Sequence, residues 1–158
     1  MSWVETTKGL CYLVDTVNVS GGCEAAVTAR ARVGWMKFRE CGELLRGRRF
    51  PLKIKGKFFE SCVRPALLYG SETWRLRVNE MAILRRTERS TGRAMCGVKL
   101  MDRTITEELM GMLGLPHTVD MLARANGVHW YGHILRRDDD RVLRRALDFK
   151  VTGRRGRP

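Results

Sequence analysis

The sequence has no run approaching the ~18 apolar residues that a membrane-spanning helix needs, and Met1 to Leu10 has no signal-peptide hydrophobic core. An intracellular protein, nuclear or cytoplasmic, is therefore expected. It has no Cys-x-x-Cys pair. Its five cysteines, Cys11, Cys23, Cys41, Cys62 and Cys96, are odd in number and irregularly spaced, so they read as reduced, mostly buried thiols and not as a disulfide framework or a zinc site. It has no glycine-rich phosphate loop either, because the stretches GRR and GRRGRP lack the strand-turn-helix setting such a loop requires. All three histidines lie beyond residue 116, which leaves Ser61 and Cys62 without a nearby base to activate them.

Acidic residues are scarce as well: 17 Asp and Glu stand against 30 Lys and Arg, a net charge of +13. The isoelectric point is near 10.3. Such an excess calls for a polyanionic partner, most often nucleic acid, although a ribosome or a membrane surface would answer the same charge. The consecutive acids Asp138, Asp139 and Asp140 do not make a polymerase centre. Two-metal catalysis needs carboxylates converging from separate elements, whereas this run, set between Arg137 and Arg141, reads as a helix cap. His129 and His133 share a helix face but have no third ligand at metal-binding spacing, so no metal site is assigned. At 158 residues and 44% apolar content, the chain is long enough for one ordinary domain or two small ones.

Taken in order, Leu10–Val19 is β-branched and aromatic and runs into the turn signal Ser20-Gly21-Gly22, which predicts one strand. Glu24 to Arg46 has helical periodicity, with Val27, Ala31, Gly34, Trp35, Phe38, Cys41 and Leu45 on one seam; Gly34 and Gly42 within it imply close helix packing. From Lys53 to Leu67 a wheel of 3.6 residues puts Leu52, Phe59, Cys62, Val63 and Ala66 on one side and Lys53, Lys57, Glu60 and Arg64 on the other. Pro65, which has no N–H for the carbonyl of Ser61, should bend that helix, and Gly70 should close it in the left-handed conformation ahead of Trp74. Asn79 is the expected N-cap of a helix to Met95, Thr104 opens a capping box for a short helix that Gly114 and Pro116 stop, and a longer helix covers Thr118 to Arg136. The last of these is expected to bury Met121, Ala125, Val128, Tyr131, Gly132 and Leu135. A basic helix, Arg141 to Phe149, and a cationic tail from Val151 complete the chain.

The fold class is thus mainly α: a multi-helix bundle with one N-terminal β-strand. The expected organisation is a strand and turn (1–22), a helical hairpin (23–76), a C-terminal helical region (77–150) and a basic flexible tail (151–158). Four basic stripes are the candidate nucleic-acid contacts: Arg32, Arg39 and Arg46; Lys53, Lys57 and Arg64; Arg85, Arg89 and Arg93, with Arg86 beside them; and Arg136, Arg137, Arg144 and Arg145. Stripes of this kind meet phosphates and carry no sequence information. Trp74, Trp130 and Tyr131 could stack on bases, although aromatics at helical spacing more often belong to a core.

The stretch VRPALLYGSETW, followed by MCGVKL, LARANGVHWYGHILRRDDDRVLRRALDF and GRRGRP, resembles the segment downstream of the polymerase domain in LINE-type (non-LTR) retrotransposon reverse transcriptases. The resemblance runs in order from about Leu10 to Pro158. It implies a thumb-like and post-polymerase region that grips a template-primer duplex, with RNA or an RNA-DNA duplex backbone as partner and with the absent polymerase domain as a second partner. The intact family member is an RNA-directed DNA polymerase, usually with an endonuclease domain, and uses Mg²⁺. This segment lacks the catalytic aspartates, so no cofactor and no activity are expected of it alone. The same resemblance makes the strand a remnant of the upstream polymerase sheet, and Met1 then an internal start or a truncation scar; alternatively the strand is orphaned or pairs in a dimer. Ser90, Thr91 and Gly92 depart from the bulkier apolar residues of the family and imply a weakened copy. The alternatives to a nucleic-acid-binding fragment are a basic helical interaction protein and a functionless decayed open reading frame.

Overall fold

The computed structural model describes residues 9–12, 15–18 and 23–136, together with 142 and 145. Its body is helical: α1 (Glu24–Glu40), α2 (Gly42–Arg46), α3 (Leu52–Phe58), α4 (Arg64–Leu68), α5 (Val78–Cys96), α6 (Thr106–Leu113) and α7 (Val119–Leu135). The single strand predicted over Leu10–Val19 is not present. Two four-residue strands, β1 (Gly9–Tyr12) and β2 (Asp15–Asn18), pair antiparallel in the register Gly9 with Asn18 and Tyr12 with Asp15. A lone strand leaves its backbone donors and acceptors without partners, and doubling back satisfies them within the segment. The helix predicted from Arg141 to Phe149 and the caps at Asp138 to Asp140 lie outside the described residues, Val142 and Arg145 excepted.

Two apolar clusters form the core. Phe38, Leu45, Phe59, Val63, Met95, Leu109 and Leu113 belong to one; Val27, Ala31, Leu67, Trp74, Leu84, Val119 and Ala123 belong to the other. Helices α1 and α5 each contribute to both, because their seams are long enough to reach from one cluster to the next. Burying side chains of this size stabilises by about 1.5–3 kcal/mol each relative to leaving them in water. Close approach between helices comes from glycine where the seam demands it. A methyl group on Gly34 would meet Leu67 at 3.2 Å, and one on Gly92 would meet Met110 at 3.2 Å. Thr91 is buried beside Gly92 and returns its hydroxyl to the carbonyls of Thr87 and Glu88, so these small residues of α5 serve its packing against α6.

Between α3 and α4 the chain forms one π-helical turn, Phe59–Val63, directly ahead of Pro65. The wide turn accommodates the proline that would otherwise sit against the carbonyl of Ser61. It also resets the helical wheel. Two turns of an ideal α-helix bring Arg64 back to within about 20° of Lys57, but the residue taken up by a π turn rotates whatever follows by about 100°. Arg64 therefore points into the core instead of joining Lys53 and Lys57 on the surface. The close of this rod follows expectation: Gly70 is left-handed at φ 79°, and Trp74 is buried.

Three helix starts and one helix face differ from the sequence reading. A residue at Cys41 separates α1 from α2. The N-cap of α5 is Arg77, whose backbone N–H donates to the Glu80 carboxylate at 3.0 Å, so Asn79 lies inside the helix; Ile105, not Thr104, precedes α6, with no side-chain cap. On α7 the buried residues are Val119, Asp120, Ala123 and Ile134. Met121, Ala125, Val128, Tyr131 and Leu135 are exposed and Gly132 is half-buried, so the face predicted to be buried looks outward.

Candidate nucleic-acid interface

Helix α5 has two chemically distinct faces. Leu84, Glu88, Thr91 and Met95 recur at alternating intervals of four and three residues, the spacing of a buried seam, and all four are buried. Glu88 is 1% exposed. One of its oxygens accepts from the Arg64 guanidinium at 2.8 Å, and the other accepts from the backbone N–H of Val119 at 2.9 Å. Arg64 is 2% exposed and donates further to the carbonyl of His117 and to Glu60 at 3.5 Å. Burial pushes the Glu88 carboxyl above its ordinary range, against the pull of Val119 and Arg64. The pair joins α4, α5 and the start of α7, and Arg64 is a structural residue, not a phosphate contact.

The opposite face carries Arg85, Arg86, Arg89 and Arg93. They line a cleft of about 590 Å³ whose far wall comes from Leu100, Arg103 and Thr106, Leu100 opening the turn Leu100–Asp102. Arg103 was not anticipated from the sequence. It holds a left-handed backbone, φ 48°, the only non-glycine residue to do so among those described, at the end of a turn closed by a 2.7 Å bond from the Lys99 N–H to the Asp102 carboxylate. Arg85 is spoken for: Asp120 accepts from its guanidinium at 2.7 and 2.9 Å. Asp120 is buried, which pushes its carboxyl up, but the bonds from Arg85 and Thr118 outweigh this and hold it below its ordinary range. Among the described residues, Arg86, Arg89, Arg93 and Arg103 have no carboxylate within ion-pair distance, so four cations face the cleft uncompensated.

The remaining predicted contacts are scattered. Arg32 and Arg39 are exposed on α1 and flank Trp35 and Met36; Arg46 is exposed on α2, its guanidinium folded over Gly42. Lys53 and Lys57 are exposed on α3, while Lys55 between them is buried and donates to the Met95 carbonyl at 3.0 Å, closing the C-terminal end of α5 with a positive charge. Arg136 and Arg145 are exposed; Arg137 and Arg144 lie outside the described residues. Of the aromatics considered for stacking, Trp74 is in the core, Trp130 is half-buried against His133, and Tyr131 is exposed. Among the described residues, no group of three or more His, Cys, Asp or Glu side chains is placed to hold a metal ion. Burial pushes the Cys96 thiol up, away from the thiolate that a nucleophile requires.

The chain is 26% identical over 136 residues to a transposon-derived protein of Caenorhabditis elegans whose role is uncharacterized. The match supports a transposon-related origin. The aligned stretch covers 82% of this chain and 47% of that protein, so the chain spans about half the length of its curated relative. No protein-family model and no solved structure matches it. No helix among the described residues is long and apolar enough to cross a membrane.

Proposed function

We propose that this chain is the nucleic-acid-gripping segment of a transposon-encoded protein, the thumb-like and post-polymerase region of a LINE-type reverse transcriptase. In this reading it holds RNA or an RNA-DNA duplex by the phosphate backbone and contributes no catalytic group to RNA-directed DNA synthesis. One observation carries the reading: Arg86, Arg89, Arg93 and Arg103 meet around one cleft with no carboxylate among the described residues to neutralise them. Uncompensated guanidinium groups set one helical turn apart, about 6 Å, suit a polyanion whose charges repeat at a comparable interval. Transposon-related origin supports the same class of partner. Catalytic carboxylates and Mg²⁺ belong, in this reading, to the polymerase domain and not to this segment. The test is the salt dependence of binding by the purified chain. About six phosphate contacts on a duplex give a slope of log K against log salt near −5, and a slope near zero would overturn the reading.

A second reading, an interaction protein, draws on α7. Met121, Val128, Tyr131 and Leu135 form an exposed apolar stripe along that helix. The two readings are compatible if the stripe meets the polymerase domain of the same protein. Pull-down of that domain by the chain, lost in Val128→Asp, would establish the second role.

A further inference from the structure

The α5 cleft is lined unequally. Besides the arginines it carries Val78, Met81 and Leu100. Val78 is 76% exposed and Leu100 74%. Apolar side chains this exposed, set against four guanidinium groups with no ion-pair partner among the described residues, make an amphipathic wall. A double helix turns its phosphates and groove edges outward and keeps its base faces stacked, so it offers such side chains much less apolar surface. An unpaired strand presents phosphates on one side and apolar base faces on the other.

A neighbouring cleft of about 670 Å³ limits where a strand can lie. It shares Arg85 and Thr106 with the first, but its walls hold Glu88, Glu107 and Asp120. The ion pair between Arg85 and Asp120 stands where the two meet, so a polyanion is repelled from one side of Arg85 and attracted on the other. The closed turn fixes the left-handed backbone of Arg103, from which its side chain lines the cleft opposite α5.

We infer that the cleft between α5 and the segment 100–106 is a binding site for single-stranded nucleic acid, with Arg86, Arg89, Arg93 and Arg103 on the phosphates and Val78 and Leu100 against the bases. This inference rests on the nucleic-acid reading above and adds the strandedness of the ligand. It is tested by fluorescence polarisation of the full chain with a labelled RNA strand of about 12 nucleotides, free and annealed to its complement. The free strand is expected to bind about tenfold more tightly. Leu100→Ser is expected to weaken the free strand about three- to tenfold and leave the duplex unchanged, and Arg103→Gly, which preserves the left-handed backbone, to weaken the free strand by a similar factor. Both residues are exposed, and an unchanged helical circular dichroism spectrum separates lost contact from lost fold. Equal or tighter duplex binding, or equal losses on both ligands in Leu100→Ser, would overturn the single-strand assignment while leaving the nucleic-acid reading in place. Competition by poly-glutamate as effective as by RNA would replace the ligand with an acidic peptide, and failure to bind either RNA form at low salt would remove both readings together.

Discussion

Glu88 and Arg89 are neighbours in the chain and face opposite environments. Glu88 is buried and bound at both oxygens, while Arg89 stands in an open cleft with no counter-charge among the described residues. On the inner face of α5 a charge is tolerated only because its partner is buried with it: Arg64 and Glu88 lie between the two apolar clusters, Arg64 between Val63 and Leu67, Glu88 between Leu84 and Met95. On the outer face only Arg85 has a counter-charge among the described residues, and the mutual repulsion of the remaining arginines raises the energy of the free protein slightly and is relieved when an anion arrives. Paired charge in the interior therefore acts on folding, and unpaired charge at the surface acts on binding.

The comparison is broken most severely by removing one member of the buried pair. Arg64→Met leaves the Glu88 carboxylate in the core without its cation and is expected to cost about 3–5 kcal/mol, read as a lower urea midpoint at neutral pH. Adding Glu88→Leu should restore much of that loss, since two apolar side chains need no counter-charge; a double variant as unstable as the single would show that the pair itself supplies net stability. Next in size is the packing of the same face. Gly92→Leu forces a side chain against Met110 and is expected to cost about 1–3 kcal/mol in the same assay.

A smaller effect separates the two faces by pH. Because Arg85 and Thr118 hold the Asp120 carboxyl low in spite of its burial, its contribution to stability is present above the unfolded value of about 3.9 and is lost as pH falls through the folded one. Glu88 has the opposite sign, since burial raises it: its linkage favours folding as pH falls from above its folded value toward the unfolded one. Asp120→Asn should therefore flatten the loss of thermal stability on the acid side of pH 4, and an unchanged acid limb would assign that loss elsewhere. The smallest effect on folding is expected on the outer face. Alanine at Arg86, Arg89 and Arg93 together should move stability by no more than about 0.5 kcal/mol per site, while lowering the salt slope of nucleic-acid binding by up to about 3. A large loss of stability in that triple variant would mean that the arginines belong to the fold.

Much of the helical body was legible in the chain. The seam of α1, the left-handed Gly70, the stop at Gly114 and the arginine recurrence on α5 all follow from local rules of spacing and backbone freedom. Glu88 was legible too, by its place on the seam of Leu84, Thr91 and Met95, but a search for arginines passes over it. Lys55 and Arg64 were not, because each is buried by a partner distant in sequence, the Met95 carbonyl for one and Glu88 for the other. The exposed stripe of α7 was misread for a related reason. An apolar face shows that a helix wants cover, and only the positions of the other helices decide whether cover is there.

By itself the sequence determined that the chain is helical and strongly basic, since these depend on composition and on residues a few positions apart. Tertiary structure alone decided which charges are free. One π-helical turn before Pro65 rotated Arg64 from the surface stripe into the core, the approach of α7 placed Asp120 on Arg85, and the turn after α5 brought Arg103 across to face Arg86, Arg89 and Arg93. Whether a guanidinium is available to a ligand depends on which carboxylate lies within a few ångströms of it, and that distance is set by the packing of segments far apart in the chain.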